Sequence, residues 1–148
     1  MSDLEELYQQ TIIDHSRRPH NFHALKNPSY SQEGYNPLCG DKFTVYVNEK
    51  DGIITEVSFE GTGCAISTAS ASLMTDVVKN KTTEEILEIF DAFQKLVTTG
   101  KTDQPEKLDK LTVLAGVFEF PTRVKCATLP WHTLKSALNK DGEPISTE

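Results

Sequence analysis

The chain has 148 residues, of which 37% are hydrophobic and 25% charged, and its formal net charge is -7. This length suits a single domain with a sizeable core, and the acidic balance argues against a nucleic-acid surface, which needs a clustered basic face. No apolar run approaches the ~18 residues of a membrane span, and the acidic start lacks the basic and apolar pattern of a secretory signal, so we expect a cytoplasmic protein with protein partners.

Apolar residues at helical spacing open the chain: Leu4, Leu7, Tyr8 and Ile12. They predict an amphipathic first helix that ends before Pro19, because proline cannot continue a helix. Residues 20–38 carry two Asn-Pro pairs and little periodicity. We expect an irregular segment there that contains at most one short strand.

A β-hairpin is predicted next. Apolar and polar residues alternate from Phe43 to Val47 and again over residues 53–60, and the segment 49–52 between them ends in Asp51-Gly52. Antiparallel strands of similar length start and finish side by side. The hairpin therefore brings residues 39–41 close to residues 61–64.

Helices dominate the second half. A run of small residues over 65–74 predicts a helix packed closely on the sheet, and the capping box Thr82-Thr83-Glu84-Glu85 predicts a second one. A short helix is expected around residues 108–115, and a last helix from Ala127, with Pro130 in its first turn and Cys126 at its start. We predict one α+β domain over residues 1–140, with a small antiparallel sheet packed against several helices, and a frayed tail over 141–148.

The three cysteines are Cys39, Cys64 and Cys126. An odd number of thiols in a reducing compartment favours metal binding or thiol chemistry over a disulfide framework. Glycines flank the first two cysteines and charged residues precede the third. Together with Asp41, these thiols form a candidate four-ligand set that suits tetrahedral zinc.

Two alternatives stay open for the fourth ligand. Asp41 is also a typical turn residue before a strand, and in that case His20 or His23 would be the reserve ligand. His15 and His132 lie within predicted helices, where a role in the fold is the simpler interpretation.

Basic residues surround the candidate ligands, namely Lys42, Arg123 and Lys125. We expect them to offset the negative charge of three thiolates and a carboxylate, and such neighbours make a thiolate a ready nucleophile. The simpler alternative is that each is a solvated side chain on an acidic protein.

Four motifs occur together in this chain: Asp14-His15 with Arg18-Pro19, Asn36-Pro37-Leu38-Cys39-Gly40-Asp41, Phe59-Glu60-Gly61-Thr62-Gly63-Cys64-Ala65-Ile66-Ser67, and Arg123-Val124-Lys125-Cys126-Ala127-Thr128-Leu129. With them the chain resembles, over nearly its whole length, the U-type iron–sulfur cluster assembly proteins, the family of IscU, SufU and the NifU amino-terminal domain.

Within that family the chain is similar to the SufU branch. Lys125 stands where IscU-type scaffolds place a histidine, and the 61 residues between Cys64 and Cys126 (65–125) exceed the IscU spacing, with the excess expected around residues 90–112. The chaperone-recognition motif of IscU-type members is replaced by Phe120-Pro121-Thr122-Arg123. The resemblance therefore implies no dedicated Hsp70 partner.

The resemblance implies a zinc protein that accepts persulfide sulfur from a PLP-dependent cysteine desulfurase of the SufS type and passes it to a downstream cluster-assembly scaffold. It would be a zinc-dependent sulfurtransferase partner and no stand-alone enzyme. Cys39, Asp41, Cys64 and Cys126 would be the zinc ligands, Cys39 would accept the sulfur, and Arg123 and Lys125 would support it. Two alternatives remain: a scaffold that binds iron and assembles a 2Fe–2S cluster on the same residues, and a domain whose zinc only supports the fold.

Overall fold

The computed structural model of this chain describes the backbone of residues 3–139 and 145–146 and the side chains of residues 10–139. Its helices are α1 (Asp3–Arg17), α2 (Ala65–Val78), α3 (Thr83–Thr99), α4 (Pro105–Leu108) and α5 (Pro121–Leu138), with a 3₁₀ segment over Asp109–Glu119. Its strands are β1 (Tyr30–Asn36), β2 (Asp41–Lys50), β3 (Ile53–Thr62), β4 (Lys81–Thr82) and β5 (Ile145–Ser146).

The strands form one sheet in the order β4-β3-β2-β1-β5. The pairs among β1 to β4 are antiparallel, and β5 adds a short parallel pairing to β1. The predicted hairpin is confirmed: Asp51 and Gly52 both have positive φ, 55° and 81°, as a tight two-residue turn between twisted strands requires. The prediction of a frayed tail stays untested, because residues 141–144 and 147–148 lie outside the described part of the chain.

Helices cover the sheet, which confirms the α+β class. Phe43, Val45 and Val47 alternate with more exposed neighbours along β2 and are buried, and Phe59 lies directly opposite Val45 on β3. The small residues of α2 let it pack against α1, α5 and β3 as predicted. The structure describes no side chain before residue 10, so the apolar face predicted for α1 is not described beyond the half-buried Ile12.

The capping box of α3 is confirmed. The Glu85 backbone N–H donates to Thr82 Oγ1 at 3.2 Å, and the Thr82 N–H donates to Glu85 Oε1 at 3.1 Å. Gly100 ends the helix in the left-handed conformation with φ 79°. Both helix ends therefore follow from local sequence.

The predicted start of the last helix was wrong. Helix α5 begins at Pro121, so Cys126 lies in its second turn and Pro130 lies in its interior. Proline suits the first helical position because its missing N–H has no helical partner there, and Pro121 takes that position. Pro130 is buried in the helix interior, where tertiary packing outweighs the lost hydrogen bond.

No helix within the described residues combines the length and apolar character that crossing a bilayer requires.

Candidate metal centre

Three chain segments meet at one end of the sheet. Cys39 lies in the turn 37–40 between β1 and β2, where Gly40 has φ 71° and the Cys39 N–H donates to the Asn36 carbonyl at 3.2 Å. Lys42 pairs with Thr62 across the hairpin, so Cys64 follows directly beside Asp41, as the sequence predicted. Helix α5 contributes Cys126.

Three of the four predicted ligands converge. Cys39, Asp41 and Cys126 each offer one ligand atom, and these atoms lie within 4.8 Å of one another. The Cys126 thiol donates to Cys39 Sγ at 2.9 Å. Cys39 is partly exposed while Cys126 is fully buried, so one sulfur faces solvent and the other closes the site from the core side.

Asp41 presents a carboxylate oxygen that needs a partner. The side chain is only 2% exposed, and its Oδ1 accepts the Cys64 backbone N–H at 2.8 Å. Its Oδ2 is buried and has no hydrogen-bond partner among the described residues. An unpaired buried carboxylate oxygen costs free energy, and a cation bound beside two sulfurs would remove that cost. The donor set therefore fits a thiolate-preferring metal such as zinc.

Cys64, the fourth predicted ligand, lies at the start of α2. It is the N-cap residue of this helix, and its sulfur accepts the Ser67 backbone N–H at 3.4 Å. Its sulfur also lies 3.5 Å from Ser67 Oγ. Cys64 is not in the set within 4.8 Å, but its backbone N–H holds Asp41.

The electrostatics of the site are those of crowded sulfur ligands. Burial raises the pKa of the Cys126 thiol, and the hydrogen bond to Cys39 and the negative charges at Cys64 and Asp41 raise it further. The negative charge at Cys64 is the largest cause that raises the pKa of Arg123, which lines the cavity beside Cys39 and Cys64. Arg123 therefore lies beside the cysteines, and its charge-compensating role stays a prediction.

An open cavity of about 460 Å³ gives access to the site. Its lining consists of Leu38, Cys39, Cys64, Thr122 and Arg123. The cavity thus exposes two of the three cysteines to an incoming group, while the buried Cys126 does not line it.

Asn36 belongs to the site but was not among the predicted site residues; the sequence showed it only in an Asn-Pro pair and in the motif that contains Cys39. It is 1% exposed, and its Nδ2 donates to Cys126 Sγ at 3.7 Å. Its position three residues before Cys39, at the end of a strand, was the available signal. Of the other basic residues, Lys42 lies with Nζ 5.6 Å from the Tyr35 ring centroid, and Lys125 is exposed on α5.

The four histidines do not join this cluster. His20 pairs with Asp76, His23 Nδ1 lies 3.0 Å from its neighbour's carbonyl, and His132 packs edge-on against Phe90. His15 is buried and hydrogen-bonded to Ser72. Asp41, which the structure brings to the sulfurs, is thus better placed as a ligand than the reserve candidates His20 and His23.

The chain matches a known protein family and named relatives. The pattern of the NifU-like N terminal domain family matches residues 7–127. The chain is 40% identical over 140 residues to the iron–sulfur cluster assembly scaffold protein IscU of Streptococcus pyogenes serotype M1, covering 95% of this chain and 87% of that protein. It is 37% identical to the zinc-dependent sulfurtransferase SufU of Bacillus subtilis strain 168, covering 95% of each.

A solved structure shares the fold. It is that of a Fervidobacterium islandicum protein described as an iron–sulfur cluster assembly scaffold for the SUF system. The TM-score is 0.83 at 35% identity, and the match covers 90% of this chain and 98% of that one.

Proposed function

This chain belongs to the iron–sulfur cluster assembly family of NifU-like N-terminal domains, and from that premise we propose that it takes persulfide sulfur from a cysteine desulfurase and passes it on to cluster assembly. Two kinds of name occur among its relatives, scaffold protein and zinc-dependent sulfurtransferase. The choice between these roles therefore rests on the site itself.

The position of Cys39 carries the proposal. Its sulfur lies on an exposed turn, at the mouth of the cavity, and accepts a hydrogen bond from the buried Cys126 thiol. The thiolate is the nucleophile in sulfur exchange, and the cavity leaves the Cys39 side chain open to an incoming persulfide. The turn also leaves Cys39 free of the helix and strand hydrogen bonds that fix Cys126 and Asp41. Cys39 is thus the ligand best able to move.

The residues that would hold a zinc ion are Cys39, Asp41, Cys64 and Cys126. Zinc would keep the sulfurs deprotonated and would bring no redox chemistry of its own. Asp41 would bind through its unpartnered Oδ2 while Oδ1 keeps the Cys64 N–H. Arg123 would balance part of the ligand charge from the exposed side.

The proposed reaction is a thiol–persulfide exchange. The Cys39 thiolate attacks the terminal sulfur of the desulfurase persulfide, the Cys39 S–S bond forms, and the S–S bond of the desulfurase breaks. The desulfurase cysteine leaves as a thiolate, so charge and sulfur oxidation state balance without an added oxidant or reductant. Arg123 lies at the cavity wall, where it can stabilise the negative charge that moves between the sulfurs.

The partner that supplies this sulfur is a PLP-dependent cysteine desulfurase of the SufS type, and a downstream scaffold receives it. Leu38, directly beside Cys39, is 70% exposed, and Phe120, one residue before α5, is 57% exposed. Large apolar side chains beside a reactive cysteine suit a transient protein contact.

The test follows the sulfur. The protein is incubated with a SufS-type desulfurase and cysteine, and the three cysteines are alkylated and analysed by mass spectrometry. We expect persulfide on Cys39 and faster alanine release than with the desulfurase alone. Cys39→Ser should lose both effects, and Gly116→Ala, at an exposed position that does not line the cavity, should keep the persulfide. Persulfide formation or desulfurase stimulation that survives in Cys39→Ser would refute the proposal.

The alternative is a scaffold on which a 2Fe–2S cluster forms. Three thiols and a carboxylate around one open cavity favour it, as do the relatives named scaffold proteins. It predicts a stable coloured cluster of defined stoichiometry after anaerobic reconstitution, with no persulfide on Cys39. The absence of a histidine from the cluster, within the described residues, favours sulfur transfer over this role.

A further inference from the structure

A second cluster of metal-binding side chains lies where the end of α1 and the following loop cross α2. One ligand atom each from His15, His20 and Asp76 lies within 4.8 Å of the other two. His15 is 7% exposed, whereas His20 and Asp76 are open to solvent. None of these residues belongs to the cysteine site.

The two histidines are held in place by one serine. His15 Nδ1 lies 2.7 Å from Ser72 Oγ, and the His20 backbone N–H donates to the same oxygen at 2.7 Å. A serine oxygen has two lone pairs, so it can accept from the His20 amide and from the His15 ring together. That arrangement fixes the His15 ring and leaves its other nitrogen free to bind a ligand, as is usual for metal-binding histidines.

The loop that carries His20 is pinned to α2. Asn21 has a left-handed backbone, φ 54°, and its side-chain amide donates to Thr75 Oγ1 at 3.0 Å. The His20 ring lies 2.5 Å from Asp76 Oδ2 and its centroid is 4.5 Å from that of His15. The His15 ring and the backbone of His20 are thus held by Ser72, and the loop by Thr75, all outside the cluster, which lowers the entropy cost of binding an ion.

We propose that His15, His20 and Asp76 form a second, solvent-accessible site for a divalent transition-metal ion of the zinc type. Two imidazoles and a carboxylate suit such ions, and they leave a position open for water or an anion.

The charged residues around this site influence its metal affinity and the ligand at its open position. A cavity of about 810 Å³ adjoins His15 and His20, and Arg17, Arg18 and Lys110 line it together with Asp14. These positive charges oppose a bare cation, so the site binds more weakly than the cysteine cluster. They also favour an anion, such as chloride or hydroxide, on the open position of the metal.

Cobalt(II) titration of the reduced, metal-stripped full chain tests the proposal. Cobalt(II) bound to the cysteines gives absorption bands from sulfur-to-cobalt charge transfer. Cobalt(II) bound to two histidines and a carboxylate adds only ligand-field absorption bands. We expect the wild type to bind two equivalents, the second without further charge transfer. His20→Ala and Asp76→Asn should bind one equivalent, and His23→Ala, which removes an exposed histidine of the same loop, should still bind two.

The result is independent of sulfur transfer, because only the second equivalent is compared. A wild type that saturates at one equivalent would overturn the proposal. So would a second equivalent that persists in both His20→Ala and Asp76→Asn, since the proposed ligands would then not hold it.

Discussion

Substituting Gly63 by alanine should disturb both the fold and the metal centre. A Cβ at this position would lie 2.6 Å from Phe43 Cζ, 2.5 Å from Ser67 Oγ and 2.9 Å from Asp41 Oδ1. The Phe43 ring is 1% exposed and cannot move away cheaply. Overpacking of this kind destabilises the folded protein by about 1–3 kcal/mol. Alanine also restricts the unfolded chain more than glycine does, which stabilises the folded state by about 0.4–1 kcal/mol. The net expectation is a loss of about 1–2 kcal/mol in the free energy of unfolding.

The same substitution should weaken zinc binding, because it pushes on the carboxylate that carries the unpartnered Oδ2. Loss of about 1.4 kcal/mol of binding free energy corresponds to a tenfold weaker affinity, and we expect a decrease of about that size. Urea unfolding of the zinc-free protein measures the first effect, and competition with a chromophoric chelator measures the second.

Gly116→Ala is the matched control, since nothing lies within 4 Å of a Cβ at that exposed position. It should unfold at the same or a slightly higher urea concentration and bind zinc as the wild type does. The reasoning fails if Gly63→Ala matches the wild type in both stability and zinc affinity.

Two further predictions concern stability away from the centre. Thr82→Ala removes the capping-box acceptor of α3 and should lower the free energy of unfolding by about 1 kcal/mol. Thr98→Ala, in the exposed last turn of the same helix, should change it far less. Equal urea midpoints for the two variants would contradict this. Burial, and then the positive charge of Lys135, lower the pKa of His132 in the folded state. As the pH falls below about 6.5, His132 therefore becomes protonated in the unfolded chain before it does so in the folded one, and the protein loses stability. His132→Gln should reduce the fall in melting temperature between neutral and mildly acidic pH, and the control His23→Gln should leave that fall unchanged. A fall in His132→Gln as large as in the wild type would show that the burial of His132 does not cause it.

Local signals in the sequence were sufficient for most elements. Alternation and Asp51-Gly52 specified the hairpin, and the capping box and Gly100 specified both ends of α3. These signals succeed because hydrogen-bonded turns and caps depend on a few adjacent residues. The hairpin register then placed Asp41 beside Cys64 without further information, because antiparallel pairing fixes which strand ends meet.

Helix α5 shows where local signals fail. Either of two prolines, Pro121 or Pro130, could mark its first turn. The prediction placed Pro130 there, but the helix begins at Pro121. Tertiary contacts decide between them: Ser70 on α2 donates to the Ala127 carbonyl at 2.6 Å, and α5 packs across β1 and β2. Packing of this kind can tolerate a proline in a helix interior, and no local pattern encodes it.

The residue types of the candidate ligands are readable from the sequence, because cysteine and aspartate next to glycine turns and a helix start each lie within a single segment. The packing of the chain shows which sulfur is buried and which is partly exposed, and that Asn36 reaches Cys126. It also shows that Asp41 Oδ2 has no hydrogen-bond partner among the described residues. It also brought His15, His20 and Asp76 together from two helices and a loop. Burial and contact between distant segments depend on how whole elements pack, and that information is spread over the entire core.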